Sequence, residues 1–298
     1  MKIIHLSDFH ISSPFPVSKH WWRGLPLPFG KFSSLLSELV SIYLDYRHLS
    51  LTKGAIALGL LVKEIEEKYP DSWVVITGDL TDKGEEEEYK LVRGLLEPLI
   101  QRKRLIVLPG NHEYPLLPAL SLDGMKNFSK YFGDCSGKDY PILRELSHNL
   151  VLIGLNSAHD IPRLSGTGSV GPEQLARLDR LLSSKALSNK VKLLALHHDP
   201  FNRNFFTELN DREELLEIIK GRVDIVLCGH KHNSYIKRRC KGIRVICSAP
   251  SSVLPDEQGL IHFRSFEVKG NNQIRLGHHR LNLDKAIAKI SSIEKLHK

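Results

Sequence analysis

Cysteine is scarce in this 298-residue chain, and its four residues, Cys135, Cys228, Cys240 and Cys247, form neither a C-x-x-C pair nor a dense framework. That argues against a disulfide-stapled secreted fold and favours reduced thiols in a cytoplasmic setting. Cys228 and Cys247 lie in apolar runs and read as small core residues rather than ligands. Long apolar runs are lacking as well. The longest, Ala55 to Val62, falls far short of the ~18 to 20 residues a membrane span requires. A donor-rich block follows directly on the first strand, which leaves no room for a charged-then-apolar signal segment, and a soluble protein is expected. No Gly-, Pro- and Ser-rich stretch marks a linker, and no repeat recurs at a fixed period.

What is present suits one large core. Hydrophobic residues make up 41% of the chain, and a single domain over residues 1–298 is expected because the donor blocks described below span most of it. The formal charge of +8 suits an anionic partner, yet the excess is spread out. Only Arg102 to Arg104 and Lys237 to Lys241 cluster, and both read as solvated faces, so nucleic acid is not the expected partner.

Short β-branched runs at Lys2 to Leu6, Trp73 to Thr77, Leu105 to Leu108, Leu150 to Leu155, Val191 to Leu196 and Val223 to Leu227 read as strands. Between them, Leu58 to Ile65, Glu85 to Leu96, Pro172 to Leu182 and Arg212 to Ile219 have helical period. The alternation implies an α/β fold with much of the sheet buried on both faces. After Lys231 the strand-like pieces Tyr235 to Arg239, Arg244 to Cys247, Leu260 to Val268 and Gln273 to Leu281 suggest an antiparallel section completing a second sheet. A last helix is expected over Leu283 to Leu296.

A helical insertion at about 13–52 separates the first two donor strands. It carries Trp21 and Trp22, then Phe32, Leu35, Leu36, Leu39, Val40, Tyr43 and Leu44 at helical steps. Covering the sheet is its ordinary reading. A lid, or a contact with a membrane surface, is the sharper one, with Lys19, Arg23 and Lys31 available to anionic head groups.

Five blocks carry the chemistry: Asp8 and His10 in LSDFH, Asp79 in ITGDL, Asn111 and His112 in LPGNHE, His197 in LALHHDP, and His230 and His232 in CGHKH. Each follows a strand, so their oxygen and nitrogen donors should meet at one sheet edge. Asp8 and His10, two apart in an extended strand end, would point to the same side and hold one ion. Asp79 can bridge two cations roughly 3.5 to 4 Å apart, and Asn111 offers a neutral oxygen to the second. His230 and His232 repeat the spacing of two, and His197 completes the ring. Singly, each residue has an ordinary explanation as a cap, a turn or a core residue. Together they read as a two-metal site. Two divalent cations among two carboxylates leave a formal sum of about +2, which favours an anion such as phosphate, attacked by metal-bound hydroxide. His112 is the expected general acid, or a donor to developing charge, with Asp79 the other residue central to catalysis. Arg203 is an expected substrate contact, and His198 an expected neighbour of either the ligands or the substrate. Mixed oxygen and nitrogen donors suit Mn, Fe, Zn or Co alike.

These motifs, D-x-H, G-D, G-N-H-E, H-H-D-P and G-H-K-H, resemble those of the calcineurin-like metallophosphoesterase superfamily. The resemblance implies a four-layer sandwich of two mixed β-sheets flanked by α-helices, with a dinuclear centre at the strand ends. It places Asp8, His10, Asp79 and His232 in one metal site and Asp79, Asn111, His197 and His230 in the other. Lys83 and Pro109 stand where the Ser/Thr protein phosphatases of the superfamily carry arginine, and there is little room for the added segments of its nucleases. The spacing is most similar to bacterial class III cyclic-nucleotide phosphodiesterase-like proteins, with Asp199 in place of a usual Pro and Glu113 in place of the commoner Asp. The implied activity is hydrolysis of a small-molecule phosphodiester or pyrophosphate. Two alternatives are a lipid-linked pyrophosphate hydrolase of the UDP-diacylglucosamine type and a non-catalytic metal-binding scaffold.

Overall fold

The computed structural model describes residues 1–12, 50–114, 124–136, 139–158, 166–232, 235–249, 252–253, 256–269 and 273–283. The insertion expected at about 13–52, with Trp21 and Trp22, lies outside the described residues except for its last three, 50–52. The tail helix expected over Leu283 to Leu296 also lies outside them beyond Leu283.

Strands β1 (Lys2–Leu6), β2 (Trp73–Ile76) and β3 (Leu105–Val107) are apolar at nearly every position, so both of their faces must be covered. They pair in parallel. Ile4, Leu6, Val74, Ile76, Leu105 and Val107 face one way, into a core shared with helices α1 (Ser50–Lys68), α2 (Glu86–Gln101) and α3 (Gly124–Phe132). Ile3, Val75 and Ile106 face the other way, against a second sheet. In α2 the Glu88 carboxylate accepts the Glu85 and Lys83 N–H groups at 3.2 and 3.0 Å, which fixes the helix start. The helix runs on through Pro98 to Gln101, past the end expected at Leu96. Burial of Leu95, Leu96 and Leu99 offsets the roughly 3 kcal/mol an internal proline costs.

The second sheet contains β4 (Ile142–Ser147), β5 (Leu150–Gly154), β6 (Val191–Ala195), β7 (Ile225–Cys228), β8 (Tyr235–Cys240) and β9 (Ile243–Ser248), in the order β4-β5-β6-β7-β9-β8. Its inner face, with Leu152, Leu193, Ala195, Leu227 and Cys247, packs on the first sheet. Its outer face, with Val151, Ile153, Leu194 and Val226, packs on α4 (Pro172–Leu182) and α5 (Arg212–Ile219). Helices, sheet, sheet and helices make four layers, an α/β arrangement of two mixed sheets.

The late antiparallel strands depart from expectation. Only β8 and β9 join the second sheet. Strands β10 (Leu260–Val268) and β11 (Ile274–Asn282) complete the first, in the order β11-β10-β1-β2-β3. The alternation of β10 explains this placement. Ile261 and Phe263 enter the α1–α3 core while Phe266 and Val268 enter the inter-sheet core, as a strand beside β1 requires. Parallel β1, β2, β3, β6 and β7 all end at one edge, where cross-sheet bonds tie the two sheets: Ser7 N–H to Ser252 Oγ at 3.0 Å and His230 N–H to Asp8 Oδ1 at 3.0 Å.

Candidate metal centre

The loops leaving these strand ends are unusual in backbone. Asp8, His10, Asp79, His230 and His232 all have positive φ, at 57°, 46°, 54°, 71° and 52°. The same-side placement of Asp8 with His10, and of His230 with His232, therefore does not come from an extended pleat. Two left-handed residues flanking one other produce it. Asp and His tolerate that region better than most residues, at a cost of about 1 kcal/mol each that the surrounding packing must offset. The Asp79 and Asn111 loops also pack backbone to backbone. A Cβ on Gly78 would lie 2.7 Å from the Gly110 nitrogen, and one on Gly110 would collide with the Asp79 carboxylate, so neither position admits a side chain.

The donors converge in two overlapping groups. In the first, His10 Nε2 lies 2.9 Å from His232 Nε2, 3.6 Å from Asp79 Oδ2 and 3.9 Å from Asp8 Oδ1, with His232 Nε2 3.5 Å from Asp8 Oδ1. In the second, His197 Nε2 lies 3.0 Å from Asn111 Oδ1, 3.2 Å from Asp79 Oδ2 and 3.2 Å from His230 Nδ1. Asp79 is common to both, and is buried, as are Asp8, Asn111 and His197.

The Nδ1–H of His197 donates to the Thr77 carbonyl at 2.7 Å, which leaves a lone pair on Nε2. That lone pair faces a carboxylate oxygen and an amide oxygen, both acceptors, with an imidazole nitrogen of His230 beside them. Buried acceptors this close need a proton or a cation between them. Burial lowers the His197 pKa, but the Asp79 and Asp8 charges outweigh it and hold the ring up at about 9. Burial pushes Asp79 upward, yet His197, His112 and His10 pull it well below the carboxylate range. His230 is lowered to about 4, first by burial and then by the charge of His197. Where protons now sit on His197, a divalent cation could take their place, and the carboxylates, imidazoles and amide oxygen turned inward are a donor set that fits divalent metal ions.

Other residues find their places around this set. His112 donates from Nδ1 to the Asp82 carbonyl at 2.7 Å, its backbone N–H binds Asp79 Oδ1 at 3.0 Å, and its ring stands edge-on to His10 with centroids 4.5 Å apart. His198 is fully buried, with Nδ1 on Ser157 Oγ at 3.0 Å and its ring 4.5 Å from that of His230. It has no exposed surface and stands against the His230 ring, which suits a neighbour of the ligands better than a neighbour of the substrate. Arg203 is exposed on the loop after β6 and makes no ion pair among the described residues. Asp199, where a Pro is usual, accepts from the Tyr235 hydroxyl at 2.7 Å and the Phe201 N–H at 2.8 Å, which ties that loop to β8.

Sequence reasoning passed over Glu113. Its carboxylate is buried and accepts N–H groups from Gly110 at 2.6 Å, Asp79 at 2.9 Å and Leu80 at 2.8 Å. One side chain thus clamps two ligand loops. Burial pushes its pKa up to about 7, the Asp79 charge adds to this, and the Gly110 and Thr81 N–H groups oppose it. All of these neighbours donate, so the anion is the form this pocket holds. The signal was its position directly after the N-H pair.

Comparison with known proteins gives the family and the fold that the chain resembles. The calcineurin-like phosphoesterase family model matches residues 1–234. A cAMP/cGMP dual specificity phosphodiesterase of Mycobacterium tuberculosis is 29% identical over 188 residues, 59% of this chain and 54% of that protein, so the chain spans about half the length of this relative. A probable glycerophosphodiester phosphodiesterase of Arcobacter nitrofigilis is 28% identical over 70% of this chain and 73% of its own length. Among solved structures, a dimetal phosphatase from Danio rerio superposes with a TM-score of 0.60 at 12% identity, covering 94% of this chain and 98% of that one, a likeness of fold.

Proposed function

The chain belongs to the calcineurin-like phosphoesterase family, and on that premise we propose that it is a dinuclear metal-dependent hydrolase of a phosphodiester or pyrophosphate bond in a small molecule. The observation that carries this reading is the ring of inward-facing acceptors around Asp79. Asp8, His10, Asp79 and His232 would hold one cation, and Asp79, Asn111, His197 and His230 the other. Mn, Fe, Zn or Co each suit these donors. Two such ions supply Lewis acidity, which makes water acidic enough to attack at neutral pH and offsets charge on the phosphoryl oxygens.

The chain's own groups do the rest. The Thr77 carbonyl fixes the tautomer of His197, so Nε2 is the ligating atom. His198, held by Ser157, backs the His230 ring. The Asp82 carbonyl holds His112 by Nδ1 and leaves Nε2 to carry the proton that passes to the departing oxygen. The buried thiols, free in the structure, suit a reducing cytoplasm. Residues 1–298 form one domain in this reading, since ligands from Asp8 to His232 draw on both sheets.

The test is a panel of phosphate esters with protein whose metal content has been measured. Hydrolysis of an activated aryl diester that requires divalent metal and is abolished in Asp79→Ala, with the fold intact, supports the reading. Metal-loaded protein that is inert toward cyclic nucleotides, glycerophosphodiesters, nucleotide pyrophosphates and aryl diesters alike would leave it a non-catalytic scaffold.

A further inference from the structure

The loop after β6 ends in two bare aromatic rings. Phe205 and Phe206 are 77% and 74% exposed, the most exposed of the large apolar side chains among the described residues and the only adjacent pair. Leaving two phenylalanines in water runs against the burial tendency that governs the rest of the chain.

The loop is built to hold them there. Asn202 is buried, and its amide donates to the Thr207 carbonyl at 2.8 Å and hydroxyl at 2.9 Å, closing the loop across its base. Its side-chain oxygen accepts the Asn204 N–H at 3.0 Å, and that of Asn204 accepts the Phe206 N–H at 3.0 Å. These successive turns bring the two rings together edge to face, with centroids 5.5 Å apart and planes at 83°. The tip lies beside the metal centre. A Cβ on Gly166 would touch both the Phe206 carbonyl at 3.2 Å and His230 Cε1 at 3.7 Å.

We infer that Phe205 and Phe206 are an interfacial anchor, a tip that enters the head-group and acyl boundary of an anionic lipid surface and brings the metal centre to phosphoesters presented there. Charge complementarity favours this partner. Arg203 precedes the rings and Lys231 lies between His230 and His232, and neither makes an ion pair among the described residues. A basic residue two positions before exposed aromatics, with a second on the adjoining metal-site loop, is a composition suited to anionic bilayers. A nucleobase fits less well. Rings set at 83° cannot sandwich a flat base, and one stacked on either ring would leave the other wet. A lipid interface takes both.

The experiment is flotation of the full chain with vesicles of neutral phosphatidylcholine, and of phosphatidylcholine with about 30% phosphatidylglycerol, at about 0.1 M salt. Wild-type protein floats with the anionic vesicles, and the double variant Phe205→Ser/Phe206→Ser loses about tenfold or more in partitioning. That variant hydrolyses a soluble aryl diester at the wild-type rate, which shows that fold and metal centre are intact. Arg203→Glu weakens flotation on the anionic vesicles only. Failure of wild type to float, or equal flotation of wild type and double variant, overturns the inference. So does a double variant whose KM rises for a soluble nucleotide diester while its flotation is unchanged, since the rings would then hold a base. Flotation needs no turnover, so this surface and the hydrolase reading fail separately.

Discussion

Glu113→Gln isolates the clamp between the Asp79 and Asn111 loops. One carboxylate oxygen accepts Gly110 N–H and Asp79 N–H, and the other accepts Leu80 N–H and Thr81 N–H. Glutamine keeps one oxygen and replaces the second with an NH2 group that cannot accept. Placing that group toward Leu80 and Thr81, or toward Gly110 and Asp79, strands two donors either way. Each stranded buried N–H costs about 1–3 kcal/mol, and losing the charge weakens the bonds that remain. The total is roughly 3–5 kcal/mol, a fall in Tm of about 8 °C for a chain of this size. The measurement is thermal unfolding in excess Mn2+ with aryl diester hydrolysis alongside, because cations on Asp79 remove the part of the Glu113 pKa rise that Asp79 causes. Metal affinity and turnover fall together, since the clamp also orients Asp79. Glu113→Asp, one methylene shorter, loses less but still cannot span both loops. A Glu113→Gln protein within about 1 kcal/mol of wild type, with unchanged turnover, would refute the clamp.

His112→Ala lowers kcat by about 10²- to 10³-fold on an alkyl diester and much less on a p-nitrophenyl diester, whose leaving group needs no proton; equal losses on both substrates would remove the general-acid role. Gly110→Ala drives a methyl group into the Asp79 carboxylate and yields protein with reduced metal content by elemental analysis, whereas full occupancy would show that the two loops can separate. His5, buried between the sheets on Thr77 Oγ1, has its pKa lowered to about 3 by burial. From about pH 6.5 down to about 3 the unfolded chain binds a proton there that the folded chain does not, so His5 alone takes away about 1.4 kcal/mol of stability per pH unit as pH falls. His5→Gln should flatten the acid limb of the stability profile by that slope in chemical denaturation, and an unchanged slope would contradict the assignment.

The sequence carried its message unevenly. Strands buried on both faces wrote themselves as unbroken apolar runs, so β1 to β3 and β5 to β7 were legible, and with them the edge where the donor blocks meet. Strand β4 was missed because it alternates exposed and buried residues at a sheet edge, leaving Leu143 exposed next to buried Ile142. β10 was found to the residue and put in the wrong sheet, because which neighbour an antiparallel strand takes is settled by packing over 250 residues of separation and not by its own pattern. The left-handed backbone at Asp8, His10, Asp79, His230 and His232 had no sequence signal beyond the permissiveness of Asp and His. Glu113 was visible only as a departure from a motif, its role depending on where four backbone N–H groups point. The Phe205–Phe206 tip passed unremarked, because exposure is not written in an aromatic pair.

The central claim is that Asp79 is shared by two cations, with Asp8, His10 and His232 on one side and Asn111, His197 and His230 on the other. Anomalous diffraction at the manganese edge, from crystals grown in millimolar Mn2+, tests it directly. The account predicts two peaks about 3.5–4 Å apart flanking the Asp79 carboxylate, each lost in Asp79→Ala. A single peak, or peaks remote from Asp79 in well-ordered crystals, would contradict it.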